Sequence, residues 1–117
     1  MGGGLVVRAA EPAEPDDEGV ARLARMLKRR PADPALHYNL GTTLYHQAAY
    51  DRAAESLNKA LASSGASLQP RASYNLGNTR YRQGQAKQAT SPGEALELYR
   101  QALDDYRLAI RRRCLSP

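Results

Sequence analysis

Apolar side chains recur every three or four residues along most of this chain, which is the spacing of one face of an α-helix. A short stripe holds Val20, Leu23, Ala24 and Leu27. A longer stripe near the end of the chain holds Ala95, Leu96, Tyr99, Ala102, Leu103, Tyr106, Ala109 and Ile110. No segment shows the apolar–polar alternation and β-branched content of a strand. The pattern therefore predicts an all-α fold.

Acidic residues, prolines and polar runs mark the ends of the predicted helices. A lone helix is predicted over 17–30, and Asp33 followed by Pro34 supplies the cap and first residue of the next, which runs to 47. Its partner covers 51–62, and a turn follows at 63–67. Pro70 opens a helix to about 83 or further, and Pro92 opens the last one, to 113. The polar segment 85–91 is predicted to be a mobile loop.

A nine-residue sequence occurs twice, at 37–45 and at 73–81, with six identical positions. The two copies place Gly41 and Gly77 36 residues apart. A repeat of this length is typical of proteins built from stacked helical units. Such proteins present an extended binding surface, so recognition is a more natural function for this chain than catalysis.

Charge is unevenly distributed along the chain of 117 residues, which is short enough for one domain. Residues 1–18 hold five acids and one base, and the remainder carries a net charge of +9. Residues 1–16 are predicted to be a disordered acidic tail and 114–117 a disordered end. Every charged residue between 57 and 92 is basic, which indicates either a solvated helix face or a surface for an acidic partner. No stretch is long and apolar enough to span a bilayer.

The repeated residues resemble the tetratricopeptide repeat, a 34-residue helix–turn–helix unit. Counted from Pro34, the matching residues are Leu40, Gly41, Tyr50, Ala53, Leu57 and Ala60; counted from Pro70, they are Leu76, Gly77 and, after about six extra residues, Ala95, Tyr99 and Ala102. His37 stands where Trp is usual, and Gly65 where a closing Pro is usual. The resemblance implies a right-handed α-α superhelix of about five helices: the lone helix 17–30, a repeat over 34–67, and a repeat over 70–113 with an insert and an extended second helix.

Segments 74–84 and 95–106 also resemble the repeat segment of bacterial aerotolerance (Bat) operon proteins. That narrower resemblance implies a bacterial protein of the periplasm or cell envelope. Without it, the expected compartment is the cytoplasm.

In tetratricopeptide proteins, the first helices of successive repeats line a concave groove that binds peptides. By position-for-position match, the groove residues here are Tyr38, Thr42, Tyr45, Arg71, Tyr74, Asn78, Tyr81 and Arg82. Tyrosine rings supply contact area, while amide and guanidinium groups suit backbone and carboxylate partners. The resemblance implies a non-catalytic scaffold that binds an acidic or amphipathic protein segment. For Tyr45 and Tyr81, the alternative is partial packing against neighbouring helices.

No catalytic, metal or cofactor site is predicted. His37 and His46 do not share a helix face, and neither has a carboxylate or Cys at ligand spacing. Acidic pairs on the last predicted helix, such as Asp104 and Asp105, have no identifiable opposing base and are interpreted as solvated charges.

Two other functions remain as alternatives. The basic side chains Arg80, Arg82 and Lys87, with Tyr74 and Tyr81, would suit a single-stranded nucleic acid. Apolar residues off the long stripe would support a weak homodimer if they are exposed; they are Leu98, Leu108 and Leu115.

Overall fold

A computed structural model describes residues 17–63 and 67–115, which form five α-helices and no strand. The helices are α1 (Asp17–Arg29), α2 (Pro34–His46), α3 (Tyr50–Ser63), α4 (Gln69–Lys87) and α5 (Pro92–Leu115). The prediction of an all-α stack of helical hairpins is confirmed. The predicted tail 1–16, together with 64–66 and 116–117, lies outside the described residues.

The entry into α2 is fixed by two side chains. The Oδ1 of Asp33 accepts hydrogen bonds from the backbone N–H groups of Ala35 and Leu36, at 2.9 and 3.4 Å. These are donors that the first turn of a helix leaves unpaired. The ring of His37 is buried, and its Nε2 lies 2.7 Å from the backbone oxygen of Pro31. His37 therefore links α2 to the turn that follows α1.

The turn between α2 and α3 is a helix C-cap motif. The N–H of Ala49 donates to Leu44 O and the N–H of Ala48 donates to Tyr45 O, each at 2.9 Å. This pair of bonds is the Schellman arrangement, in which the residue after the C-cap adopts a left-handed conformation. Here that residue is Ala48, with φ of 60°. A side chain at this φ is strained, so the turn is held by the packing of the two helices it joins.

Two antiparallel hairpins, α2–α3 and α4–α5, form the body of the fold. Helix α4 packs on α3 and touches α2, and among the described residues α1 contacts only α2 and α5 contacts only α4. Leu57 of α3 and Leu76 of α4 are buried at the centre with Ala54, and Tyr38 and Leu61 pack against them. The core thus lies between the hairpins, and α1 and α5 form the two ends of the stack.

Within each hairpin, a glycine lets the paired helices approach closely. A Cβ added at Gly41 would lie 2.6 Å from Cγ of Leu57, and one added at Gly77 would lie 2.8 Å from Cε1 of Tyr106. Both distances are shorter than real Cβ contacts allow. The two glycines of the repeated sequence therefore occupy like positions, each with a large side chain of the partner helix against its backbone.

The segment 85–91 differs from its prediction as a loop. Helix α4 continues to Lys87, and only 88–90 form the turn. The added helical turn packs through Gly84, where a Cβ would lie 2.6 Å from Cε1 of Tyr99. The hydroxyl of Tyr99 also donates to Gln88 at 2.8 Å. A polar helix segment is stabilised here by one ring from the facing helix, which an apolar-periodicity test does not detect.

The last helix also extends further than its sequence indicates. It continues to Leu115, two residues past the predicted boundary at 113, so 114 and 115 belong to α5 and not to a disordered end. Elsewhere the helix ends lie within one residue of the predicted bounds, except at the end of α4.

Candidate functional site

The predicted groove residues lie on α2 and α4, and several of them are already bound to one another. The amide of Asn75 donates to the hydroxyl of Tyr38 at 3.0 Å, and Nε of Arg82 lies 3.4 Å from the hydroxyl of Tyr45. Both bonds join α2 to α4. Tyr38 and Tyr45 therefore act in the packing between hairpins, and neither ring is fully exposed.

Two further predicted residues are engaged within the fold. The hydroxyl of Thr42 donates to the backbone oxygen of Tyr38 at 2.9 Å, as helical threonines often do. The Oδ1 of Asn78 accepts from the hydroxyl of Tyr106. Burial raises the pKa of that phenol, so it stays protonated at neutral pH and keeps donating. Thr42 and Asn78 thus have partners inside the protein.

Arg71, Tyr74, Tyr81 and Arg82 are exposed on α4. Arg82 also bonds Gln85 at 3.2 Å, which holds its guanidinium along its own helix. The ring of Tyr81 lies 5.5 Å from that of Tyr99, and the ring of Tyr74 lies 5.7 Å from that of Tyr106. The accessible part of the predicted site is therefore on α4, and its two tyrosine rings lie beside rings of α5.

Five large apolar or aromatic side chains are exposed together at the α4–α5 end of the stack. We call this set the end face; its members are 44–65% exposed and comprise Tyr74, Tyr81, Leu96, Leu103 and Ile110. Among the described residues, the one other large hydrophobic side chain of comparable exposure is Met26 on α1. Clusters of exposed apolar side chains mark interaction surfaces more often than single exposed residues do.

The internal repeat explains why this face is apolar. Tyr74 corresponds to Tyr38 in the repeated nine residues. Because Gly77 faces Tyr106 as Gly41 faces Leu57, Ile110 lies where Leu61 lies in the first hairpin, and Leu103 lies where Ala54 lies. In the first hairpin, Tyr38 and Leu61 pack against the core that α4 completes. No helix among the described residues covers the same positions in the second hairpin. The end face is thus the stacking surface of a hairpin without the next helix on it.

A groove of about 860 Å³ lies at one end of this face, between the start of α4 and the end of α5. Its walls are Ser67, Pro70, Arg71, Tyr74, Tyr106, Ala109, Ile110 and Arg113. Arg71 and Arg113 are exposed, and neither forms an ion pair with another described residue. The groove combines aromatic and aliphatic walls with two guanidinium groups available to a ligand.

Of the residues that line this groove, the predicted concave site includes Arg71 and Tyr74 but not Tyr106, Ile110 and Arg113. Leu98 and Leu108, which would support a homodimer if they were exposed, are half-buried. The side chain of Leu115 lies outside the described part of the structure. The available signal was the seven-residue spacing of the exposed stripe, Leu96, Leu103 and Ile110, beside a second stripe of the same spacing, Ala95, Ala102 and Ala109, which is buried.

A largely buried ion pair joins the two helices that form the groove. Nη1 of Arg80 on α4 lies 3.2 Å from Oδ2 and 3.4 Å from Oδ1 of Asp105 on α5. Burial raises the pKa of Asp105 to about 6, against the opposing effect of Arg80. This pair was not identified from the sequence, which places Asp105 among solvated charges; in the structure Asp105 is 8% exposed. It fixes the two helices that form the groove.

Comparisons with known proteins add no assignment: no protein-family model matches the chain, and no curated protein is significantly similar to it. In the described residues, no group of three His, Cys, Asp or Glu side chains could hold a metal ion. None of the described helices is long and apolar enough to cross a membrane.

Proposed function

We propose that this chain is a non-catalytic recognition module of the tetratricopeptide type, which binds an acidic protein segment in the groove between α4 and α5. The observation that carries the proposal is the pair Arg71 and Arg113 on the rim of an otherwise apolar groove. Guanidinium groups bind carboxylates through two parallel hydrogen bonds. The rings of Tyr74 and Tyr106 supply the contact area that anchors a bound side chain.

Of the residues predicted to form the concave site, the proposal assigns ligand binding to Arg71 and Tyr74. Tyr38, Thr42, Tyr45 and Asn78 have partners inside the protein, so binding there would first require those hydrogen bonds to break. Arg71 and Tyr74 need no such rearrangement. A ligand that combines carboxylates with an apolar side chain matches both kinds of surface in the groove.

The test is a fluorescence-anisotropy titration with a labelled peptide of alternating Glu and Leu. A Lys–Leu peptide and a single-stranded oligonucleotide serve as comparison probes. The acidic peptide should bind and the basic peptide should not, with affinity falling as salt rises. Binding of the oligonucleotide in preference to the acidic peptide would instead favour the nucleic-acid alternative.

Matched variants locate the site. Arg71→Ala should weaken binding about fivefold or more, the effect of losing a charge-assisted bond, and Arg113→Ala should do the same. Arg52→Ala removes an exposed arginine from α3 with the same change in net charge and should leave affinity nearly unchanged. Tyr74→Ala should weaken binding, whereas Met26→Ala should not. Equal effects of Arg71→Ala and Arg52→Ala would show that the peptide responds only to net charge, and the groove assignment would be wrong.

A further inference from the structure

Most of the end face lies outside the groove. Leu96, Leu103 and Ile110 follow one another at seven-residue intervals along α5, and only Ile110 lines the groove. Seven residues are close to two helical turns, so these side chains form a nearly straight apolar line. In the described part of the chain, α5 contacts only α4. The line therefore has the length of about four helical turns and lacks a covering helix.

A row of charged residues accompanies this line. At about 3.6 residues per turn, the row lies roughly a quarter turn from the apolar line, on the side away from the buried alanines. Its members are all exposed: Glu97, Arg100, Asp104, Arg107 and Arg111. Along the row, the charges are therefore negative, positive, negative, positive and positive.

The two ends of this row are complementary when one row is reversed against the other. If a second α5 lies antiparallel to the first and centred on Leu103, Leu96 of each copy faces Ile110 of the other. Glu97 then lies near Arg107 and Arg111 of the second copy, whereas Arg100 lies between its Asp104 and its Arg107. In antiparallel helix pairs, the same flank of each helix meets, so this row faces its own reversed copy.

A parallel arrangement offers no such match. It would set the charged row of one copy against the opposite flank of the other α5, where Ala102 and Ala109 are buried against α4. The carboxylates of Glu97 and Asp104 would then have no arginine of the row opposite them. Charge complementarity of this kind selects the partner and its orientation more than it adds raw affinity.

We propose that the apolar line of Leu96, Leu103 and Ile110 pairs with the same line of a second copy of this chain, through an antiparallel, two-fold contact of the α5 helices centred on Leu103. The contact is isologous, with the same residues contributed by both copies. It covers the α5 part of the stacking surface that the second hairpin leaves open. It does not depend on the identity of any ligand of the groove, since the apolar line and the charged row carry it alone.

Association is measured first, by sedimentation equilibrium of the full chain over a range of concentrations. The wild-type chain should be in a monomer–dimer equilibrium. Leu103→Glu places two carboxylates against each other at the two-fold axis and should weaken the dimer about tenfold or more. Met26→Glu makes the same change on the exposed side of α1 and should leave the dimer intact. A chain that is monomeric at every concentration would overturn the proposal.

Charge reversal tests the orientation. Glu97→Arg should weaken the dimer, and so should Arg111→Glu. The double variant carries both changes in each copy, restores opposite charges across the antiparallel contact and should recover much of the wild-type affinity. Thermal unfolding followed by circular dichroism shows that each variant is folded. If the double variant is weaker than both single variants, the antiparallel pairing is wrong.

Disulfide trapping gives an independent geometric test. Cys114 is the sole cysteine, so the background is Cys114→Ser. Leu103→Cys lies on the two-fold axis and should cross-link copy to copy, because disulfides need Cα atoms within about 7 Å. Leu96→Cys should not cross-link to itself, since two such positions would lie about 21 Å apart, but should cross-link to a copy carrying Ile110→Cys. Efficient self-linking of Leu96→Cys would indicate a parallel pair and refute the arrangement.

Discussion

The close approach of α4 and α5 at Gly77 predicts that a larger side chain there lowers the stability of the fold. Replacing Gly77 with Ala would place a Cβ 2.8 Å from Cε1 and 2.9 Å from Cδ1 of Tyr106. That ring cannot easily withdraw, because its hydroxyl is bonded to Asn78 and the tilted ring of Tyr74 lies beside it, with 5.7 Å between the ring centroids. The substitution therefore forces either the ring or the helix to move.

Two opposing free energies set the expected size of the effect. Alanine in a helix interior is more favourable than glycine by roughly 0.5–1 kcal/mol. Overpacking a fitted contact costs about 1–3 kcal/mol. The net loss of unfolding free energy for Gly77→Ala should be about 1–2 kcal/mol, and Gly77→Leu should lose more and disrupt the second hairpin. For a domain of this size, each kcal/mol lowers Tm by about 4–8 °C.

The assay is urea unfolding followed by circular dichroism, with Gly93→Ala as the matched control. Gly93 is also in a helix, but a Cβ there meets nothing within 4 Å. Gly93→Ala should therefore leave stability unchanged or raise it. Measured in a Tyr106→Ala background, Gly77→Ala should stop being destabilising, because the obstructing ring is gone. If Gly77→Ala stabilises the wild-type chain as much as Gly93→Ala does, the helices do not approach as described.

Three other substitutions or conditions give separate tests. Because burial raises the pKa of Asp105 from 3.8 to about 6, the folded protein binds the extra proton first, and its stability should rise by about 1 kcal/mol from pH 7 to pH 5; the rise, measured by urea unfolding, should be absent in Asp105→Asn. Ala48→Gly removes the side chain that is strained at positive φ, so it should raise the free energy of unfolding by roughly 1 kcal/mol and raise Tm with it; a lower Tm would contradict the strained turn. Tyr38→Ala should lower Tm more than Tyr74→Ala, because Tyr38 packs on the core, and equal losses would contradict that difference.

The helices themselves were predictable from local sequence. Asp33 and Pro34 mark the start of α2 as they would in an isolated helix, and Pro92 marks the start of α5 in the same way. Gly41 and Gly77 were identified by the repeat, and a glycine at a fixed position of two helices implies a close neighbour. These features depend on the residues of a single helix and its nearest partner.

The accessible part of the site could not be predicted in the same way. Which side of α5 meets α4 depends on how the helix is rotated, and both the alanine line and the Leu96 line repeat every seven residues. Their relative burial is decided by contacts with α4, not by their own spacing. Likewise, Tyr38 and Tyr74 occupy the same position in the repeat, and they differ only because a helix covers one of them.

The paired contacts between α4 and α5 also bear on how the hairpin finds its alignment. Gly77 meets Tyr106 and Gly84 meets Tyr99, so the same contact occurs twice at seven-residue spacing. Sliding one helix by that spacing would bring Gly77 to Tyr99 and preserve half of the apolar fit. It would also separate Arg80 from Asp105 and leave a largely buried guanidinium opposite Leu98. The ion pair therefore discriminates against the slipped hairpin, a task that the glycine and tyrosine contacts cannot perform by themselves.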